Sequence, residues 1–165
     1  VSRMQNHFSV AHLGPPCERP FVPPAEFHPL AFVVGLFGAL GVGVFARWVG
    51  LDRDRAFYPT VMIVIAFLYV LFAAIGGGTA VPVEAAIGTG FALLAVLGFK
   101  LNPWFVVAAL VGHGLFDWAH PHLIDNRGVP RWWPEFCSAY DIAAGLFLAV
   151  LLVRTKPPVA PAGQK

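Results

Sequence analysis

"FYPTVMIVIAFLYVLFAAI", residues 57 to 75, runs for its whole length without a charged side chain. A helix of that length rises far enough, at about 1.5 Å per residue, to cross a hydrocarbon core of about 30 Å. Pro59 stands close to its start, where a missing N–H costs nothing because first-turn donors have no intrahelical partner. The segment therefore reads as a membrane-spanning helix rather than a barrel strand.

The rest of the chain has the same character. Of 165 residues, 58% are hydrophobic and 12% charged, with a mean hydropathy of +0.70, against roughly 45–50% apolar and about 25% charged in soluble domains. Four more apolar stretches cover residues 29–49, 79–99, 103–120 and 138–154, and Pro82 and Pro103 again mark helix starts. Asn102 is a candidate N-cap for the fourth helix, and Ser138-Ala139-Tyr140-Asp141 has the form of a capping box opening the fifth. The predicted fold is an all-α polytopic membrane bundle of about five transmembrane helices, its partner the lipid bilayer.

Basic residues near the helix ends set the expected orientation. Arg47, Arg53, Arg55, Lys100, Arg154 and Lys156 all fall at one end of a five-span bundle, and that end is expected to face the cytoplasm, giving N-out and C-in across a cell inner membrane. Trp48 and Trp104 would mark the inner interface and Trp118, Trp132 and Trp133 the outer one. Residues 1–28, rich in proline, form an extracytoplasmic tail, residues 29–154 the transmembrane domain, and residues 155–165 a cytoplasmic tail. Cys17 and Cys137, the only cysteines, both fall outside in this topology, where either a disulfide between them or two unpaired thiols is open. The net charge of +2, with no basic cluster, gives no reason to expect a nucleic-acid partner.

Gly35, Ala39 and Gly43 recur every fourth residue on the first helix, a small-residue stripe that lets another helix approach, within the chain or in a homo-oligomer. Gly88, Ala92 and Ala95 do the same on the third helix, with Gly88 one turn from Glu84.

Ionisable groups at membrane depth are costly, so they usually face the bundle interior, pair with one another and mark function. Here they are Glu84, His113, Asp117 and, closer to the surface, His120 and Asp141. With a helix beginning near Thr79, Glu84 lies roughly 7–8 Å below the outer surface, His113 roughly 10 Å and Asp117 roughly 4–5 Å. His113, Asp117 and His120 follow at i, i+4 and i+7, on one helix face. His120 precedes Pro121, which places it at a frayed helix end.

Two imidazoles and a carboxylate on one face, with Glu84 from a neighbouring helix, suit a divalent metal with an open position, zinc above all. In that reading His113, Asp117 and His120 are ligands, Glu84 or Asp141 is the fourth ligand or the general base toward bound water, with Glu84 the first choice as ligand, and Asp117 shares the catalytic role with Glu84. Asp141, His122, Asp125 and Tyr69 are secondary candidates, Asp141 being accounted for by the capping box. A hydrogen-bonded network without metal and a proton or ion pathway are the alternatives. Glu84 needs a cation or a donor at that depth, and His113 is the expected partner.

Other chemistries are excluded by absence. Serine occurs only as Ser2, Ser9 and Ser138, so no serine nucleophile sits deep in a span, and the chain holds no HExxH, no CxxCH and no phosphate-binding glycine loop.

The stretch "HGLFDWAHPHLIDNRGVPRWWPEFC", residues 113–137, followed by "YDIAAG", resembles small bacterial multi-pass membrane proteins of uncharacterised function, which implies about five spans and no known activity. In site chemistry alone it is similar to the alkaline ceramidase and adiponectin-receptor-like membrane hydrolases. Those carry H-x-x-x-H and a serine around zinc across seven spans, where this chain has Asp117 after His113, no such serine and five spans. Two functions follow as expectations: a metal-dependent hydrolase or related enzyme acting on a lipid or apolar substrate, or a non-catalytic accessory protein or small-solute permease whose polar cluster is structural or conducts ions.

Overall fold

A computed structural model describes residues 27–154. Five helices, α1 (Pro29–Val49), α2 (Phe57–Ile75), α3 (Val81–Lys100), α4 (Trp104–Leu123) and α5 (Trp133–Arg154), account for most of these residues, with a short 3₁₀ turn at Leu51–Arg53. No strand occurs among them. Short connections make successive helices antiparallel. Side-by-side packing follows the order α1, α5, α4, α3, α2, and α2 also touches α4, so α4 is enclosed by three neighbours.

The distribution of side chains is that of a membrane protein. Leucine, valine and phenylalanine cover the outside, among them Leu30, Phe37, Val64, Leu71, Leu93, Leu115 and Leu146, whereas the interior holds small residues such as Ala39, Ala46, Ala66, Ala95 and Ala109 together with the ionisable groups. In lipid there is no hydrophobic drive between helices, so close backbone packing and polar contacts hold them together. Trp48, Trp104, Trp118 and Trp132 are exposed near helix ends, as interfacial rings should be. Trp133 instead turns inward against Phe72, 4.9 Å between ring centroids.

Four helices, α1, α2, α3 and α5, are long and apolar enough to cross a membrane. α4 has 20 residues, comparable length, but His113, Asp117 and His120 interrupt its apolar run. Those residues are buried, so the side chains that lower its hydropathy face its neighbours and not lipid.

Three boundaries differ from expectation. α3 begins at Val81 rather than Thr79, which puts Glu84 in its first turn. α4 does not stop before Pro121 but carries it internally and continues to Leu123. Proline there withholds only one helical N–H, the one that would have met the Asp117 carbonyl, and the turn closes with Ile124 N–H donating to the His120 carbonyl at 3.0 Å. α5 starts at Trp133, five residues before the apparent capping box, because Pro134 occupies the first turn where it is tolerated. Ser138 and Asp141 are thus interior, and Asp141 is not a cap. The cap position of α4 is Pro103, not Asn102, and Asn102, one residue earlier, accepts at its Oδ1 from the Trp104 N–H at 3.0 Å.

The small-residue stripe of α1 is consumed inside the chain. Gly35, Ala39 and Gly43 are buried, and a Cβ on Gly35 would run into the Phe136 carbonyl of α5 while one on Gly43 would press on the Phe147 ring. That removes the stripe as a homo-oligomer surface.

Gly114 sets the spacing of α4 and α5: a Cβ on it would lie 2.8 Å from Ile142 Cγ1 and 2.9 Å from the Ser138 carbonyl oxygen. Gly114→Ala should therefore destabilise the protein by about 1–3 kcal/mol through overpacking. Gly90→Ala, where a Cβ meets nothing within 4 Å, should be neutral or stabilise by up to about 1 kcal/mol. Thermal unfolding of both variants in detergent checks this, and equal melting temperatures would contradict the packing described.

Candidate functional site

At the end of the bundle where α2 and α4 finish and α3 and α5 begin, the ionisable residues form two clusters. The first joins α4 to α5. His113 Nδ1 lies 2.7 Å from Asp141 Oδ2 and 3.3 Å from Asp117 Oδ2, and all three side chains are at most 1% exposed. One ligand atom from each lies within 4.8 Å of the others. Asp141 reaches this point because Gly114 admits the α5 backbone at Ser138, one helical turn before it.

Hydrogen-bond accounting here does not close. A single imidazole nitrogen carries at most one hydrogen, and the short contact assigns it to Asp141. Among the described residues, neither oxygen of Asp117 nor Asp141 Oδ1 finds a hydrogen-bond partner. A buried carboxylate without donors costs several kcal/mol. The cluster thus holds more carboxylate oxygens than donors.

The second cluster joins α3, α4 and the loop after α4. His120 Nε2 and Glu84 Oε1 are 2.8 Å apart. Asn126 Nδ2 donates to the same Glu84 oxygen at 2.8 Å and to the Tyr69 carbonyl at 3.1 Å. The loop is pressed into place by two glycines, since a Cβ on Gly128 would collide with the Phe72 carbonyl and one on Gly76 with the Gly128 backbone. In contrast to the first cluster, Glu84 and His120 satisfy each other.

Tyr69 stands between them. Its ring stacks on His120, with centroids 4.0 Å apart and 19° between planes, and its hydroxyl lies beside the Asp117 carboxylate with Glu84 and Cys137 in its surroundings. That hydroxyl is buried and has no hydrogen-bond partner among the described residues. Phe91 closes the other side of His113, edge-on at 4.9 Å.

The residues proposed from sequence are therefore divided rather than united. His113 and Asp117 do come together, but their third member is Asp141, and Glu84 pairs with His120 instead of His113. The i, i+7 spacing holds, yet His120 turns toward α3 while His113 turns toward α5. His120 is also not at a frayed end, because α4 continues past it. His122 and Asp125 point outward, and Asp125 makes only an exposed contact with Arg127 at 3.9 Å. Asn126 went unnoticed in the sequence. Its one signal is the Asn-x-Gly spacing of an Asx turn, realised as the Gly128 N–H donating to Asn126 Oδ1 at 3.3 Å. Cys137, inside α5, is a buried free thiol, and Cys17 lies outside the described residues.

An apolar groove of about 360 Å³ between α2 and α5 is lined by residues that include Val64, Leu68, Trp133, Phe136 and Cys137. Cys137, one of its lining residues, also lies within electrostatic reach of Asp117 and Asp141.

Asn126→Leu should cost about 1–3 kcal/mol, since it removes the donor to a buried carboxylate and to a backbone carbonyl, whereas Asp125→Ala, on the exposed side of the same loop, should stay within about 0.5 kcal/mol of wild type. Denaturation in detergent separates the two, and a silent Asn126→Leu would show that the loop does not depend on its inward bonds. No protein-family model, no curated protein and no solved structure matches the chain.

Proposed function

We propose that this membrane protein binds a divalent cation, with zinc the best match, through His113, Asp117 and Asp141, and uses it as a metal-dependent hydrolase or related enzyme on a lipid or apolar substrate. The observation that carries the reading is Asp117: a fully buried carboxylate with no donor on either oxygen, beside a histidine whose near nitrogen is committed to Asp141. One imidazole and two carboxylates are a donor set that zinc accepts, and three protein ligands leave a fourth position open. A cation held there lowers the pKa of a bound water to near neutrality and so supplies a nucleophile.

The chain's own residues support the rest. His113 is walled by Phe91, which restricts its ring, and the Nδ1 hydrogen shared with Asp141 would have to leave for that nitrogen to face a cation. The second oxygen of Asp117 is a basic group placed to take a proton. Glu84, engaged with His120 and Asn126, is not positioned as a ligand. The α2/α5 groove offers an apolar approach that ends at Cys137. With the basic helix ends facing the cytoplasm of a multi-pass inner-membrane protein, the cluster belongs to the outer leaflet. A second reading, a structural network pinning α3, α4 and α5, is favoured by the mutual satisfaction of Glu84, His120 and Asn126.

Metal analysis of the purified protein tests the proposal. About one divalent ion per chain is expected; His113→Ala and Asp117→Asn should lose it, and Glu84→Gln should retain it. Protein that takes up no divalent metal, or a His113→Ala variant with unchanged content, overturns the cation site in favour of the structural network.

A further inference from the structure

Building on that cation site, we propose that Tyr69 is a positioning residue for it: the phenol donates to Asp117 and holds the carboxylate with one oxygen turned toward the metal. Two orphans meet here. The Tyr69 hydroxyl is a buried donor without an acceptor, and Asp117 is a buried acceptor without a donor, while the hydroxyl lies beside that carboxylate. Each supplies what the other lacks. Carboxylates that ligate metals are themselves hydrogen-bonded, and loss of such outer partners costs about 10–100-fold in affinity.

The ring is held in place for this task. Tyr69 stacks on His120 at 4.0 Å, His120 is fixed by Glu84 at 2.8 Å, and Glu84 is fixed by Asn126 at 2.8 Å. Asn126 also donates to the Tyr69 carbonyl, so the same amide steadies both the backbone of Tyr69 and the carboxylate behind the ring on which it stacks. The second cluster thereby acquires a purpose that its own satisfied bonds do not reveal: it clamps the donor that orients a ligand of the first.

The test uses cobalt(II) as probe on the full-length protein in detergent, reading affinity by titration and coordination geometry by visible absorption. Tyr69→Phe keeps the stacked ring and removes only the hydroxyl; it should bind cobalt about 10–100-fold more weakly with a changed absorption spectrum. Phe72→Leu disturbs a ring that also packs on Tyr69, centroids 6.4 Å apart, but removes no donor and lies off the imidazoles, and should leave affinity and spectrum as in wild type. If wild type binds and Tyr69→Phe matches it in both, the role of Tyr69 is overturned while the cation site stands. Equal losses in Tyr69→Phe and Phe72→Leu overturn it too, because packing alone then explains the effect. A wild type that takes up no cobalt overturns the cation site and this role together.

Discussion

The contact between α4 and α5 governs the molecule. A glycine on α4 lets the α5 backbone come so near at Ser138 that Asp141 meets His113, and the charge of two carboxylates is concentrated on one imidazole. Few arrangements are more expensive in a low-dielectric interior. That expense is tolerable only if something returns it, and the surroundings show how much of the structure is arranged toward that end: a stacked tyrosine, two phenylalanine rings and a loop folded back over the bundle end.

The contrast between the two clusters is informative. They lie a few ångströms apart, share the bridging Tyr69 and draw on the same residue types, yet one is internally paired and the other is not. Pairing is what buried polar groups do when their purpose is cohesion. Where the same chain leaves carboxylate oxygens without donors, cohesion alone does not account for them.

Much of the fold was legible in the sequence because lipid imposes simple rules. Apolar runs near 20 residues gave α1 and α2 with their observed limits, and first-turn prolines gave the starts of α3 and α4 to within two residues. The errors have physical causes. Ser138-x-x-Asp141 imitates a cap, but a cap is needed only where a helix begins, and Pro134 let α5 begin earlier. Pro121 argued for an end that the helix could postpone for the loss of a single hydrogen bond. For the site, helix periodicity put His113, Asp117 and His120 on one broad face, but period alone cannot say which neighbour each side chain meets across that face. Asp141 and Asn126 depended on tertiary contacts made by Gly114, Gly76 and Gly128, and a glycine in a sequence does not announce what it touches.

The enclosed polar face of α4 also bears on how the protein is made. Charged residues near a helix centre oppose entry into the bilayer by about 2.5–3.5 kcal/mol each, and α4 carries its liabilities where no lipid can relieve them. Its compensating groups lie on α3, which precedes it during synthesis, and on α5, which does not yet exist when α4 emerges. The connection between α4 and α5 spans only residues 124–132, short enough for the two to enter as a hairpin with His113 and Asp141 already facing each other. Entry of the last two helices as one hairpin would carry the polar face of α4 into the bilayer together with the Asp141 that meets it.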